Sequence, residues 1–91
     1  MQTNLDRIGI LAGSGDIPIY FARKASQQGI KLVSIGFSDE IRDGLAEFSE
    51  QSYSIGVGQA GKIMKTLQQN HVKDLLILGK VDKSIVYKLQ K

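Results

Sequence analysis

Short apolar runs of strand length alternate along this chain with segments whose apolar positions recur at helical spacing. Arg7–Ala12 reads as a first strand. A helix follows, with Ile17, Tyr20, Phe21 and Ala25 as its buried face and Gly29 placed to end it. Lys31–Gly36 is the second strand, and residues 39–50 form an acidic crossover helix with Ile41, Leu45 and Phe48 turned inward. Residues 52–55 make a weak third strand. Ala60, Ile63, Met64 and Leu67 mark a third helix that stops near Asn70 and His71. Leu75-Leu76-Ile77-Leu78 is the most apolar run, which predicts a central strand covered on both faces. Asp82 would cap a last helix that buries Ile85, Val86 and Leu89.

Strands alternating with helices imply an α/β domain: a Rossmann-like parallel sheet of about four strands, with helices on both faces. Two strand orders remain open, 3-2-1-4 and 2-1-3-4. In the first the ligand crevice opens between strands one and four, and in the second strand three joins its rim. The loop after strand one lines the crevice in both.

At 91 residues the chain is one domain. The last helix runs into Lys91 with no stop signal or following strand, so residues 1–91 read as the N-terminal piece of a longer two-domain protein. No apolar stretch approaches the ~18–20 residues of a membrane span, and the polar start does not resemble a signal peptide. There is no cysteine for a disulfide or a thiolate metal site, which fits a reducing interior and is not a localisation signal. The formal net charge of +3 is unevenly spread, with −2 over the first fifty residues and +5 beyond them. A basic C-terminal half suits an anionic ligand or an anionic membrane surface. It is too dilute, and too poor in interleaved aromatics, for nucleic acid.

The chemistry concentrates at Gly13-Ser14-Gly15-Asp16-Ile17-Pro18, where an apolar strand meets a glycine turn that opens into a helix. Such a junction lets backbone N–H groups approach a phosphate at the positive end of a helix. Equally, the glycines can serve only a tight turn. Pro18 stands where the dinucleotide fingerprint has its third glycine. A literal G-x-G-x-x-G occurs at residues 56–61, with Lys62 after it, and also matches the start of a P-loop. The P-loop fails at Ile63, where a hydroxyl should hold Mg²⁺. The dinucleotide motif follows the third strand and not the first, although Asp82 lies 21 residues beyond Gly61. Gly58 and Lys62 remain a candidate anion site, or else a glycine-rich loop with a surface lysine. Gly79 and Lys80 follow the fourth strand at the crevice edge, where the lysine either meets phosphate or carries a solvated charge.

Asp39 and Glu40 lie just past strand two, where dinucleotide folds bind ribose, but a solvated acidic helix explains them as well. His71 reads as a helix C-terminal residue and the Tyr20–Phe21 pair as core. No nucleophile–base pair, carboxylate dyad or metal-ligand cluster stands out. The residues themselves predict phosphate binding without hydrolysis.

Three segments in order, residues 10–15 with Pro18, residues 58–62 and residues 78–81, give the chain a resemblance to a known family. It resembles the N-terminal domain of the LpxI-type UDP-2,3-diacylglucosamine pyrophosphatases, which act in lipid A synthesis. The resemblance implies a hydrolase that yields UMP and 2,3-diacylglucosamine 1-phosphate, with a divalent metal, usually Mg²⁺. It also implies a C-terminal domain that carries the catalytic acid and is absent from these residues. By resemblance, Gly13, Ser14, Gly15, Lys62, Gly79 and Lys80 contact the polar head of a UDP-linked lipid, and Gly58 joins them from the loop reading. A cytoplasmic protein with peripheral contact to the inner membrane fits that substrate, and a homo-oligomer is compatible with it. Two rival readings stay open: a stand-alone nucleotide- or phosphate-binding module, and a truncated dinucleotide-dependent oxidoreductase.

Overall fold

The computed structural model describes residues 7–80. The elements run β1 (Arg7–Ala12), α1 (Ile17–Gln27), β2 (Lys31–Gly36), α2 (Asp39–Ala46), β3 (Gln51–Ser54), α3 (Ala60–Gln69) and β4 (Asp74–Leu78). All three strand pairings are parallel, in the order β3-β2-β1-β4. The chain therefore winds outward from β1 to β3, then returns through α3 to place β4 on the other side of β1. This is the Rossmann-like α/β arrangement, and it resolves the strand order in favour of 3-2-1-4. The helix expected after Asp82 lies outside the described residues. Among those residues, no helix is long and apolar enough to cross a membrane.

The period of two along β1 splits the core between the faces of the sheet. Ile8, Ile10 and Ala12 pack with Leu32, Ala22 and Ala25 of α1 and Leu45 of α2. On the opposite face Leu11 and Ile35 pack with Ile55 and with Ile63 and Leu67 of α3. Both helix ends are closed by the same pair of backbone bonds. The N–H groups of Gly29 and Ile30 donate to Ser26 and Ala25, and those of His71 and Val72 donate to Gln68 and Leu67. Each pair is a Schellman closure. His71 takes the left-handed position at φ 58° that a glycine fills in α1, which accounts for it as a helix terminus.

Three expectations need correction. Tyr20 is not core: it is 58% exposed, with the Lys24 ammonium 5.6 Å from its ring centre. Ile17 is likewise exposed, because the face of α1 against the sheet is made by Pro18, Ala22 and Ala25. Small residues let the helix sit close, and this rotates the large ones to its flanks. Phe21 does pack against the core from such a flank. In α3 the same rotation exposes Met64 and buries Thr66 beside Ile63 and Leu67. β4 is not central. It pairs with β1 alone among the described residues, and its Leu75, Leu76 and Ile77 are exposed.

Candidate functional site

The crevice forms where β1 and β4 end side by side. Gly13 donates its N–H to the Leu78 carbonyl at 2.8 Å, continuing the parallel ladder by one residue. The chains then cross in an isolated antiparallel bridge between Ser14 and Lys80. The Ser14 N–H donates to the Lys80 carbonyl at 3.2 Å, and the Lys80 N–H donates to the Ser14 carbonyl at 2.9 Å. Two glycines permit this approach. A Cβ on Gly13 would lie 2.1 Å from the Lys80 carbonyl oxygen, and one on Gly79 would lie 2.8 Å from the Ser14 oxygen. Gly79 also holds φ at +90°, where a side chain is strained.

These contacts change the role expected of the first glycine loop. The amides of Gly13 and Ser14 do not point at a ligand, because backbone carbonyls of the β4 exit already hold them. Gly13 and Gly79 instead fasten two loops into one rim. Gly15 differs: its φ is +109° and a Cβ there would meet nothing within 4 Å, so it borders open space. Asp16 precedes the helix as expected but makes no side-chain cap bond, and Pro18 sits buried in the first turn.

Two clefts flank the saddle made by Ser14 and Gly15. The first, about 280 Å³, is walled by Ser14, Gly15, Pro18, Ile19, Glu40 and Ile41. Gly36 positions its far wall: a Cβ there would lie 2.6 Å from the Arg42 nitrogen, so only glycine lets α2 start this close to the sheet. The N-cap Ser38 accepts from the Ile41 N–H at 3.2 Å and fixes that first turn. The second cleft, about 410 Å³, is lined by Ser14, Gly15, Asp16, Ile17, Gly79 and Lys80. It lies at the junction of β1 and β4, where an open sheet of this order receives its ligand.

Five of the seven expected positions thus meet at one rim: Gly13, Ser14, Gly15, Gly79 and Lys80. Gly58 and Lys62 line neither cleft. Their loop is closed locally, with the Gln59 side-chain oxygen accepting from the Gly56 N–H at 3.1 Å. A Cβ on Gly58 or Gly61 would meet nothing within 4 Å. The spacing of G-x-G-x-x-G here reflects no close backbone approach. Glu40 is the residue that sequence reasoning set aside and the cleft brings forward. Its one legible signal was its place just beyond strand two. Among the described residues no group of three or more His, Cys, Asp or Glu could hold a metal ion.

Neither the curated proteins nor the solved structures compared with this chain contain a match. The family model of the LpxI N-terminal domain, by contrast, matches residues 7–91, which include every described element and the whole rim. With that match over nearly its full length, the chain belongs to the LpxI family, as an LpxI N-terminal domain.

Proposed function

We propose that this chain is the substrate-head-binding domain of a UDP-2,3-diacylglucosamine pyrophosphatase of lipid A synthesis. The observation that carries the reading is the family match together with the convergence of Ser14, Gly15 and Lys80 on one cleft. The Lys80 ammonium attracts a phosphate, and the open backbone at Gly15 lets the phosphate come close. Ser14 offers a hydroxyl to a phosphate oxygen. Ile17, exposed on the cleft wall, presents apolar surface of the kind an acylated sugar needs. Cleavage to UMP and 2,3-diacylglucosamine 1-phosphate, with Mg²⁺, would rest on residues outside these elements, in a second domain that closes over the head. A lipid substrate places the work at the cytoplasmic surface of the inner membrane.

Ligand preference tests the proposal against the oxidoreductase reading. Isothermal titration of the chain should give binding of UDP in preference to NAD and ATP. Pro18 replaces the third glycine of a dinucleotide loop, and Ile63 replaces the P-loop hydroxyl. Tight binding of NAD with none of UDP would overturn the proposal.

A further inference from the structure

The two clefts share Ser14 and Gly15 but differ in charge. The smaller one has no cationic residue in its wall and counts Glu40 among its lining. Its acidic neighbours are engaged: Asp43 lies 2.6 Å from the Arg42 guanidinium, and Asp39 lies 4.0 Å from it. Glu40 makes no ion pair among the described residues and is exposed to the cleft. Glu40 lies in the first turn of α2, whose N-terminus favours its charge. No side-chain cation among the described residues offsets it, so a phosphate placed there would meet a carboxylate. An ionised carboxylate accepts hydrogen bonds only, through two oxygens, so the cleft suits a group that donates two in parallel. A vicinal diol on a ring does this, and the apolar faces of Pro18, Ile19 and Ile41 suit the ring carrying it.

We propose that Glu40 is a specificity-determining residue that accepts hydrogen bonds from a vicinal diol of the ligand. The ligand's phosphate then lies across the Gly15 saddle, against Lys80. The inference rests on the proposed function and deepens it. In a UDP-linked glucosamine acylated at positions 2 and 3, the hydroxyls left on the sugar are one on the ring and one on the exocyclic carbon, which are not vicinal. The ribose keeps its 2′,3′-diol. Glu40 would accordingly read the nucleotide's ribose, and Lys80 the diphosphate beyond it.

Affinities of the chain for UDP, 2′-deoxy-UDP and inorganic pyrophosphate test this, on wild type, Glu40→Ala and Glu40→Gln. UDP and its deoxy analogue carry the same charge, so their ratio cancels any general electrostatic effect of removing the carboxylate. Wild type should prefer UDP by about tenfold, the scale of a hydrogen bond to a charged group. That ratio should fall to about one in Glu40→Ala, with Glu40→Gln between, and pyrophosphate should bind Glu40→Ala at least as well as wild type. Equal binding of the two nucleotides by wild type overturns the inference, as does a preference that survives in Glu40→Ala. Both results leave the proposed function standing. Failure of UDP to bind wild type at all removes the proposed function, and this inference with it.

Discussion

Alanine at Gly13 should lower the melting temperature by roughly 15–20 °C, the largest stability effect expected of any substitution in the crevice. The added methyl group would occupy the position of a backbone oxygen, since an ideal Cβ falls 2.1 Å from the Lys80 carbonyl oxygen and 2.8 Å from its carbon. A flexible side chain could swing away, but this carbonyl is held in the bridge to Ser14. To relieve the clash, the exits of β1 and β4 must part. That parting breaks the Gly13–Leu78 bond and both bonds between Ser14 and Lys80. Overpacking with lost hydrogen bonds amounts to about 3 kcal/mol. In a domain of this size each kilocalorie shifts the midpoint by about 4–8 °C. Thermal unfolding followed by circular dichroism measures it. A drop of only a few degrees would mean that the two exits are not fastened as described. Gly15→Ala should be milder, near 1 kcal/mol from backbone strain alone, because its Cβ meets nothing.

Lys80→Ala should do the reverse, weakening UDP about tenfold while the melting temperature stays within a degree or two. The bridge to Ser14 uses the Lys80 backbone, which truncation of the side chain leaves in place. Lys80 is exposed and pairs with no acid among the described residues, so its ammonium contributes little to folding. Against a diphosphate in the cleft the same ammonium supplies a charge-assisted hydrogen bond. The loss should shrink as salt rises, because an exposed charge is screened beyond about 8–10 Å at physiological ionic strength. Calorimetry at low and high salt, with the melting curve as control, checks both halves of this expectation.

Much of this architecture was legible because it is local. The Arg7–Ala12 run, the glycine turn and the helix after it share one stretch of sequence, and the structure places them as that stretch implies. The helix stops at Gly29 and His71 were legible for the same reason. Strand order was not, since it depends on which edge of β1 the return through α3 reaches. Helix phase was misread at Tyr20 and Met64 because apolar size was taken to mark the buried face. The sheet instead selects the small residues Ala22 and Ala25 and the half-polar Thr66. Nothing in sequence announces that fully buried Ser34 bonds to the hydroxyls of Ser49 and Ser52, from 15 and 18 residues away, at 2.9 and 3.0 Å.

The candidate site divides along the same line. Gly13, Gly15, Gly79 and Lys80 were readable from their places just after strands, yet Gly13 and Gly79 could not be told from ligand contacts until their backbones were seen to touch. The motif at residues 56–61 was the most literal match in the chain, and neither cleft includes Gly58 or Lys62. Spacing alone does not put glycines against a ligand. Glu40 could not be told from a solvated acidic helix side, which is common on a surface, although its place after strand two also suited a ribose contact. Only Gly36, by admitting the Arg42 backbone so close to β2, brings α2 to the loop after β1.

The central claim is that UDP binds at the joined exits of β1 and β4. Titrating the isotope-labelled chain with UDP, and following its backbone amide resonances, tests that claim most directly. The account predicts the largest shifts at Ser14, Gly15, Asp16, Gly79 and Lys80, with smaller ones at the start of α2 and little change at residues 56–62. Shifts centred on Gly58 and Lys62, with the residues of the Ser14–Lys80 bridge undisturbed, would contradict it.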